Sequence, residues 1–134
     1  MSMSFSITTI APWALRMLAA LIMLQTLYFK FSGSEESVYI FSQIGIEPWG
    51  RIGTGILELI ASILILFPKT TFFGSVLAIG LMIGAIGAHL TKLGVVVKND
   101  GGQLFIYALL VLVSSITLAF IYRNEGITRI KRII

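Results

Sequence analysis

The chain has 134 residues, 57% of them hydrophobic and only 12% charged, with a formal net charge of +4. Soluble domains carry about twice that charged fraction, so a soluble enzyme core is excluded, and the excess of Lys and Arg belongs to membrane topology rather than to nucleic acid. No cysteine is present, which removes disulfides, thiolate metal sites and dithiol redox chemistry from within the chain.

Four apolar runs, about 11–31, 48–67, 71–91 and 103–122, each reach the roughly 20 helical residues that a hydrocarbon core about 30 Å thick requires. They predict an all-α fold: one integral membrane four-helix bundle over residues 1–134, with no room for a separate soluble domain. The opening Met1–Ile10 lacks the basic segment of a signal peptide, and the first apolar run is too long for its hydrophobic region. The first span is therefore expected to stay in the mature protein, with the first ten residues at the surface. Pro12 suits the first turn of the first helix, Trp13 suits an interfacial belt, and Arg16 is placed to snorkel towards the headgroups. Gln25 and Tyr28 bring polar groups to the far end, and Lys30 marks the exit.

The loop that follows has its own pattern. Ser32 and Glu35 have capping-box spacing, Val38, Phe41 and Ile44 recur at helical intervals, and Gly45 offers a stop. A short amphipathic helix in the first non-cytoplasmic loop, lying over the end of the bundle, is the expectation. Pro48 and Trp49 then open the second span, which carries the carboxylate of Glu58 near its middle. An ionisable group at that depth is costly without a partner or a wet cavity. Arg51 lies two turns earlier on the same helical face, about 10 Å away, too far for a direct ion pair but placed to line the same polar cleft.

Pro68-Lys69-Thr70-Thr71 makes a tight turn into the third span, where Gly80, Gly84 and Ala88 are spaced by four. Small residues at that spacing let helices approach closely, either within the bundle or across a homodimer face. His89 and Lys92 lie near the far end. Asn99-Asp100-Gly101-Gly102 is a strong turn, after which Gln103, Tyr107, Ser114 and Thr117 fall in one narrow arc of the fourth span and are expected to face inward. The tail, 123–134, alternates Ile127, Ile130 and Ile134 with Arg129, Lys131 and Arg132 and reads as a basic amphipathic segment on an anionic membrane surface.

If both termini are cytoplasmic, that side carries Arg16, Lys69, Arg123, Arg129, Lys131 and Arg132, against Lys30, Arg51, Lys92 and Lys98 opposite. The positive-inside bias favours this orientation. It brings Gln25, Tyr28, Lys30, Arg51, His89, Gln103 and Tyr107 to the non-cytoplasmic half, with Glu58 deeper, as the floor of a ligand-binding cleft. Each has a plainer alternative: Glu58 as an interhelical hydrogen-bonding group, His89 as an interfacial histidine, Arg51 and Lys30 as interface anchors, and the two tyrosines as belt residues. One histidine and one buried carboxylate do not make a zinc or iron set, so neither a metal nor a covalently bound cofactor is expected. Nucleophile triads, phosphate loops and dinucleotide fingerprints are missing from the sequence.

Lys30 closing the first span, Phe41-Ser-Gln-Ile-Gly45 before a proline, Gly55-Ile-Leu-Glu58-Leu59 in the second span, and Ala88-His89 ending the third together resemble the DoxX-like membrane proteins. The resemblance runs from about residue 15 to 120, and its Gly-x-x-Glu-Leu element is the most specific part. It implies a four-helix bundle in a bacterial inner membrane, association with quinone-linked redox enzymes, and Glu58 and His89 as the positions to carry over. The first functional reading is a membrane partner of a redox system that holds a quinone or similar lipid-soluble molecule near Glu58. At most it would be a non-catalytic or quinone-linked subunit of an oxidoreductase. The alternatives are an assembly factor or scaffold for another membrane protein, and a small proton-coupled transporter, which the lack of inverted repeats weakens.

Overall fold

Where apolar length and turn residues agree, helices form; the computed structural model describes residues 2–133, with side chains from residue 10 onward. The elements are α1 (Ser2–Ser32), α2 (Glu35–Ile44), α3 (Trp49–Leu66), a 3₁₀ turn (Pro68–Thr70), α4 (Thr71–Ala88), a π-helical turn (His89–Leu93), α5 (Gln103–Ile121) and α6 (Arg123–Ile133). The fold among the described residues is all helical, and α1, α3, α4 and α5 each contain a stretch long and apolar enough to cross a membrane. The expected bundle is present, and so is the short helix in the first loop.

The helix ends follow local chemistry. The N-cap of α2 is Ser34, whose hydroxyl accepts the Ser37 N–H at 3.2 Å, rather than Ser32. Gly45 closes α2 in the left-handed conformation, φ 88°, which costs glycine no Cβ clash. One boundary differs from expectation: α1 begins ten residues before Pro12 and takes that proline into its interior. Pro12 removes a single N–H from the ladder, and the segment before it carries no residue that would stop a helix.

Neighbours in the bundle form a ring, in which α1 packs on α3 and α5, and α4 packs on α3 and α5. Its centre is made of small or slender side chains: Ala19, Ala61, Ala78, Ala108, Val111, Ser62, Ser75 and Ser115 are all buried. The serines on α3 and α4 spend their hydroxyls on their own helix, Ser62 to the Glu58 carbonyl and Ser75 to the Thr71 carbonyl, each at 2.8 Å. At these two positions helices can thus approach without leaving the serine hydroxyl unsatisfied, whereas the Ser115 hydroxyl is buried with no partner among the described residues. The closest approach is at Gly74, where an added Cβ would lie 2.7 Å from the Ile65 backbone nitrogen and 2.8 Å from the Ala61 carbonyl oxygen. It is not at Gly80 and Gly84, which have no neighbouring atom within 4 Å of where a Cβ would stand. The close-packing reading of that stripe within the bundle is therefore corrected to Gly74.

Arg16 is a second correction. It does not reach outward: it is 1% exposed, donates from Nε to the Ile65 carbonyl at 2.9 Å and from its guanidinium to the Leu66 carbonyl, and stacks 3.7 Å from the Trp13 ring. These carbonyls belong to the last turn of α3, where no intrahelical donor remains. Thr70 and Thr71 satisfy the rest, donating to Leu64 at 2.7 Å and to Ile65 and Phe67 at 2.9 and 2.8 Å. A cation at a helix C-terminus is also favoured by the helix dipole. At the same end α6 docks on α4 through Gly126, where a Cβ would collide with the Phe72 ring.

Candidate functional site

At the opposite end from Arg16 the four helices enclose a cleft of about 630 Å³, with α2 across it. This volume lies within the range of small-molecule sites, about 300–1,000 Å³. Its walls are mainly apolar, including Ile22, Met23, Phe29, Ile40, Phe41, Leu81 and Leu104, and its polar groups come from every surrounding helix.

The polar centre is Glu58. It is 4% exposed, and its Oε1 lies 3.0 Å from the Lys30 Nζ of α1. Lys30 also donates to the Thr26 hydroxyl at 3.2 Å, and that hydroxyl is 2.8 Å from the Met23 carbonyl and 3.5 Å from Glu58 Oε2. Three polar side chains from two helices therefore form one connected group on the cleft wall. Thr26 was not singled out in the sequence; its place one turn before Lys30, at i and i+4, was the available signal.

Arg51 is placed elsewhere. It is buried but does not border the cleft. Its Nε bridges both Glu47 oxygens at 2.9 and 3.0 Å, and its Nη1 donates to the Lys30 carbonyl, with the guanidinium packed beneath Gly33. It ties the end of α1 to the start of α3 beneath the α2 loop. Glu47 and Arg51 have the i, i+4 spacing of a helical ion pair.

His89 is 5% exposed and borders the cleft at the start of the π-helical turn. Such widened turns interrupt a helix and recur at functional sites. The ring Nδ1 lies 2.9 Å from the Gly94 carbonyl oxygen, and the ring meets Phe105 edge to face at 5.5 Å. The loop that supplies Gly94 is closed by Asp100, whose carboxylate accepts the N–H groups of Val97 at 3.0 Å, Gly102 at 2.8 Å and Leu104 at 3.2 Å. Burial by itself pushes the Asp100 carboxyl upward, but these three N–H donors and the nearby His89 ring together hold it below its ordinary value.

Gln25, Gln103 and Tyr107 border the cleft at its rim, and Gln103 Nε2 donates to the Tyr107 hydroxyl at 2.8 Å. Tyr28 stands apart, 73% exposed on the outer face and edge to face with Phe29. The expected inward stripe on α5 divides: Ser114 is buried, whereas Thr117 is exposed and returns its hydroxyl to the Val113 carbonyl. Gly80, Gly84 and Ala88 line the cleft, where missing side chains leave room. Ser34, Glu36 and Ser37 of the α2 region also border it, which the sequence did not indicate. A second depression, about 310 Å³ along α6, is formed by the polar side of that one helix, from residues that are all at least partly exposed.

The profile of the DoxX-like family matches residues 14–117. The chain belongs to the DoxX-like family. The match takes in the apolar stretches of α3 and α4, most of those of α1 and α5, and every residue of the cleft, and leaves α6 outside it. No curated protein and no solved structure is significantly similar to the chain. This DoxX-like protein is therefore a membrane protein by family and by the four apolar helices.

Proposed function

We propose that this DoxX-like protein binds a lipid-soluble molecule with a small polar head, of the quinone class, as the membrane partner of a redox enzyme. The supporting observation is the buried Lys30–Glu58 pair with Thr26, placed on the wall of a largely apolar cleft of about 630 Å³. An apolar body with a few fixed polar contacts is the usual construction of a site for such molecules. Each ionisable group of the pair already has the other as its partner at 3.0 Å, so the site suits an uncharged head that exchanges hydrogen bonds rather than an ion. The chain holds no cysteine, and electrons would be delivered by a partner or a diffusible donor. The far end of the bundle is filled by Arg16 and its carbonyl partners, which supports a site open at one end over a through-going path. The proposed setting is a bacterial inner membrane with both termini cytoplasmic, so that the cleft opens towards the other side.

The test is mass spectrometry of lipids and proteins that leave the membrane with gently purified protein. A stoichiometric quinone that is lost in Glu58→Gln is expected. Wild-type protein that carries no quinone, and takes none up when reconstituted in quinone-containing nanodiscs, would rule the reading out. A stoichiometric protein without quinone would favour the scaffold alternative.

A further inference from the structure

Resting on the reading above, the geometry points to a cleft that recognises the hydroxyl-bearing, reduced form of its ligand, with His89 Nε2 as the acceptor for that hydroxyl. A carbonyl oxygen only accepts hydrogen bonds, so the 2.9 Å contact between His89 Nδ1 and the Gly94 oxygen requires the proton on Nδ1. In the neutral ring Nε2 then carries a lone pair and no hydrogen. Among the described residues no group donates to it, although His89 is 5% exposed and lies on the cleft wall. The main-chain N–H of Gly94 returns to the His89 carbonyl at 2.7 Å, and Phe105 abuts the ring, so the ring keeps the orientation that presents Nδ1 to the Gly94 oxygen.

The other polar groups of the cleft have different needs. Lys30 Nζ spends two of its three N–H groups on Glu58 and Thr26, which leaves one to donate to a ligand oxygen. The Tyr107 hydroxyl accepts from Gln103, which leaves its own hydrogen to donate. A quinone offers only acceptors: it can satisfy Lys30 or Tyr107 and leaves His89 Nε2 unpaired. A hydroquinone keeps its oxygens as acceptors and adds the O–H that Nε2 lacks. An accessible acceptor on the cleft wall favours the ligand that supplies its hydrogen bond over one that does not.

The experiment measures binding of three probes to the full chain in nanodiscs, against empty nanodiscs, without oxygen at pH 8. The probes are a decyl-tailed benzoquinone, its hydroquinone, and the di-O-methyl ether of that hydroquinone. The hydroquinone is expected to bind on the order of tenfold tighter than the quinone, the worth of about one hydrogen bond. The ether, which keeps the ring and loses both donors, should fall to the quinone level or below. His89→Phe should erase the preference while binding persists, and His89→Gln, which keeps an acceptor, should retain part of it. Equal binding of quinone and hydroquinone, or a preference that survives His89→Phe, overturns the acceptor role and leaves the quinone-class reading standing. If no probe binds wild-type protein, both fall. The quinone–hydroquinone comparison needs no variant, so equal binding overturns the proposal even if His89→Phe does not fold, and His89→Gln then reports on the acceptor.

Discussion

At the scale of single residues, the interactions that matter join groups far apart in the chain. Lys30 and Glu58 are buried against one another at 3.0 Å. Desolvation offsets much of the attraction in such a pair, yet removal of one partner alone strands the other. Lys30→Met is therefore expected to destabilise the protein by about 3–5 kcal/mol, and Lys30→Met with Glu58→Leu to recover most of that loss. Thermal unfolding in detergent reads both, and a double variant no more stable than the single would show that the two residues are not coupled. Asp100 gives a pH dependence of known sign. Its carboxyl is held below the ordinary value by three backbone N–H groups. Its contribution is thus complete above about pH 4 and is lost as pH falls through the lowered folded-state value. The Leu104 amide resonance should titrate with a midpoint below 3.8, and a midpoint at or above that value would remove the cap from the account.

Glycines at the scale of helices do two different things, and the structure separates them. Gly74 lets the backbone of α4 press on α3, whereas Gly80 and Gly84 border open space in the cleft. Gly74→Ala should cost about 1–3 kcal/mol through overpacking against backbone that cannot move aside. Gly80→Ala should be neutral or stabilise slightly, since alanine is the better helix former. Melting temperatures of the two variants make the comparison, and equal losses would contradict this assignment. The α2 helix is held along its length by buried Ser37 and Phe41 and also at its ends. Ser34 caps its start, Gly45 turns it out, and Arg51 ties the flanking helices through Glu47 and the Lys30 carbonyl.

For the whole molecule, the two ends of the bundle are built differently. One end is closed by Arg16, which joins α1 to the last carbonyls of α3 and stacks on Trp13; the other holds the cleft and is spanned by α2. A bundle pinned at one end can hold an opening at the other without loss of register. Arg16→Met removes two charge-assisted hydrogen bonds and leaves the Leu66 carbonyl without its donor, while Ile65 still accepts from Thr71, which should cost about 3 kcal/mol. Arg16→Lys should not restore it, because an ammonium cannot fork to two adjacent carbonyls as a guanidinium does. Chemical denaturation in mixed micelles checks both variants, and a fully stable Arg16→Lys protein would refute the fork.

Hydropathy and local turn chemistry, which act over a few residues, determined the four apolar helices, the short helix before Pro48, the Gly45 stop and the DoxX-like character of the chain. They also singled out Glu58 and His89, because an ionisable side chain within an apolar run is conspicuous wherever it ends up. Partnership was decided only by the tertiary structure. Arg16 looked like a snorkelling residue until antiparallel packing set the end of α3 beside it, and Arg51 looked like a cleft residue until Glu47 and the Lys30 carbonyl claimed it. Tyr28 and Thr117 turned outward because helix rotation is set by which faces pack, and in membrane helices that are apolar all round hydropathy does not say which face that is. The cleft itself lies where Gly80, Gly84 and Ala88 leave room opposite Lys30 and Glu58 of other helices, and which helices stand opposite one another is a property of the whole bundle that no single stretch of sequence carries.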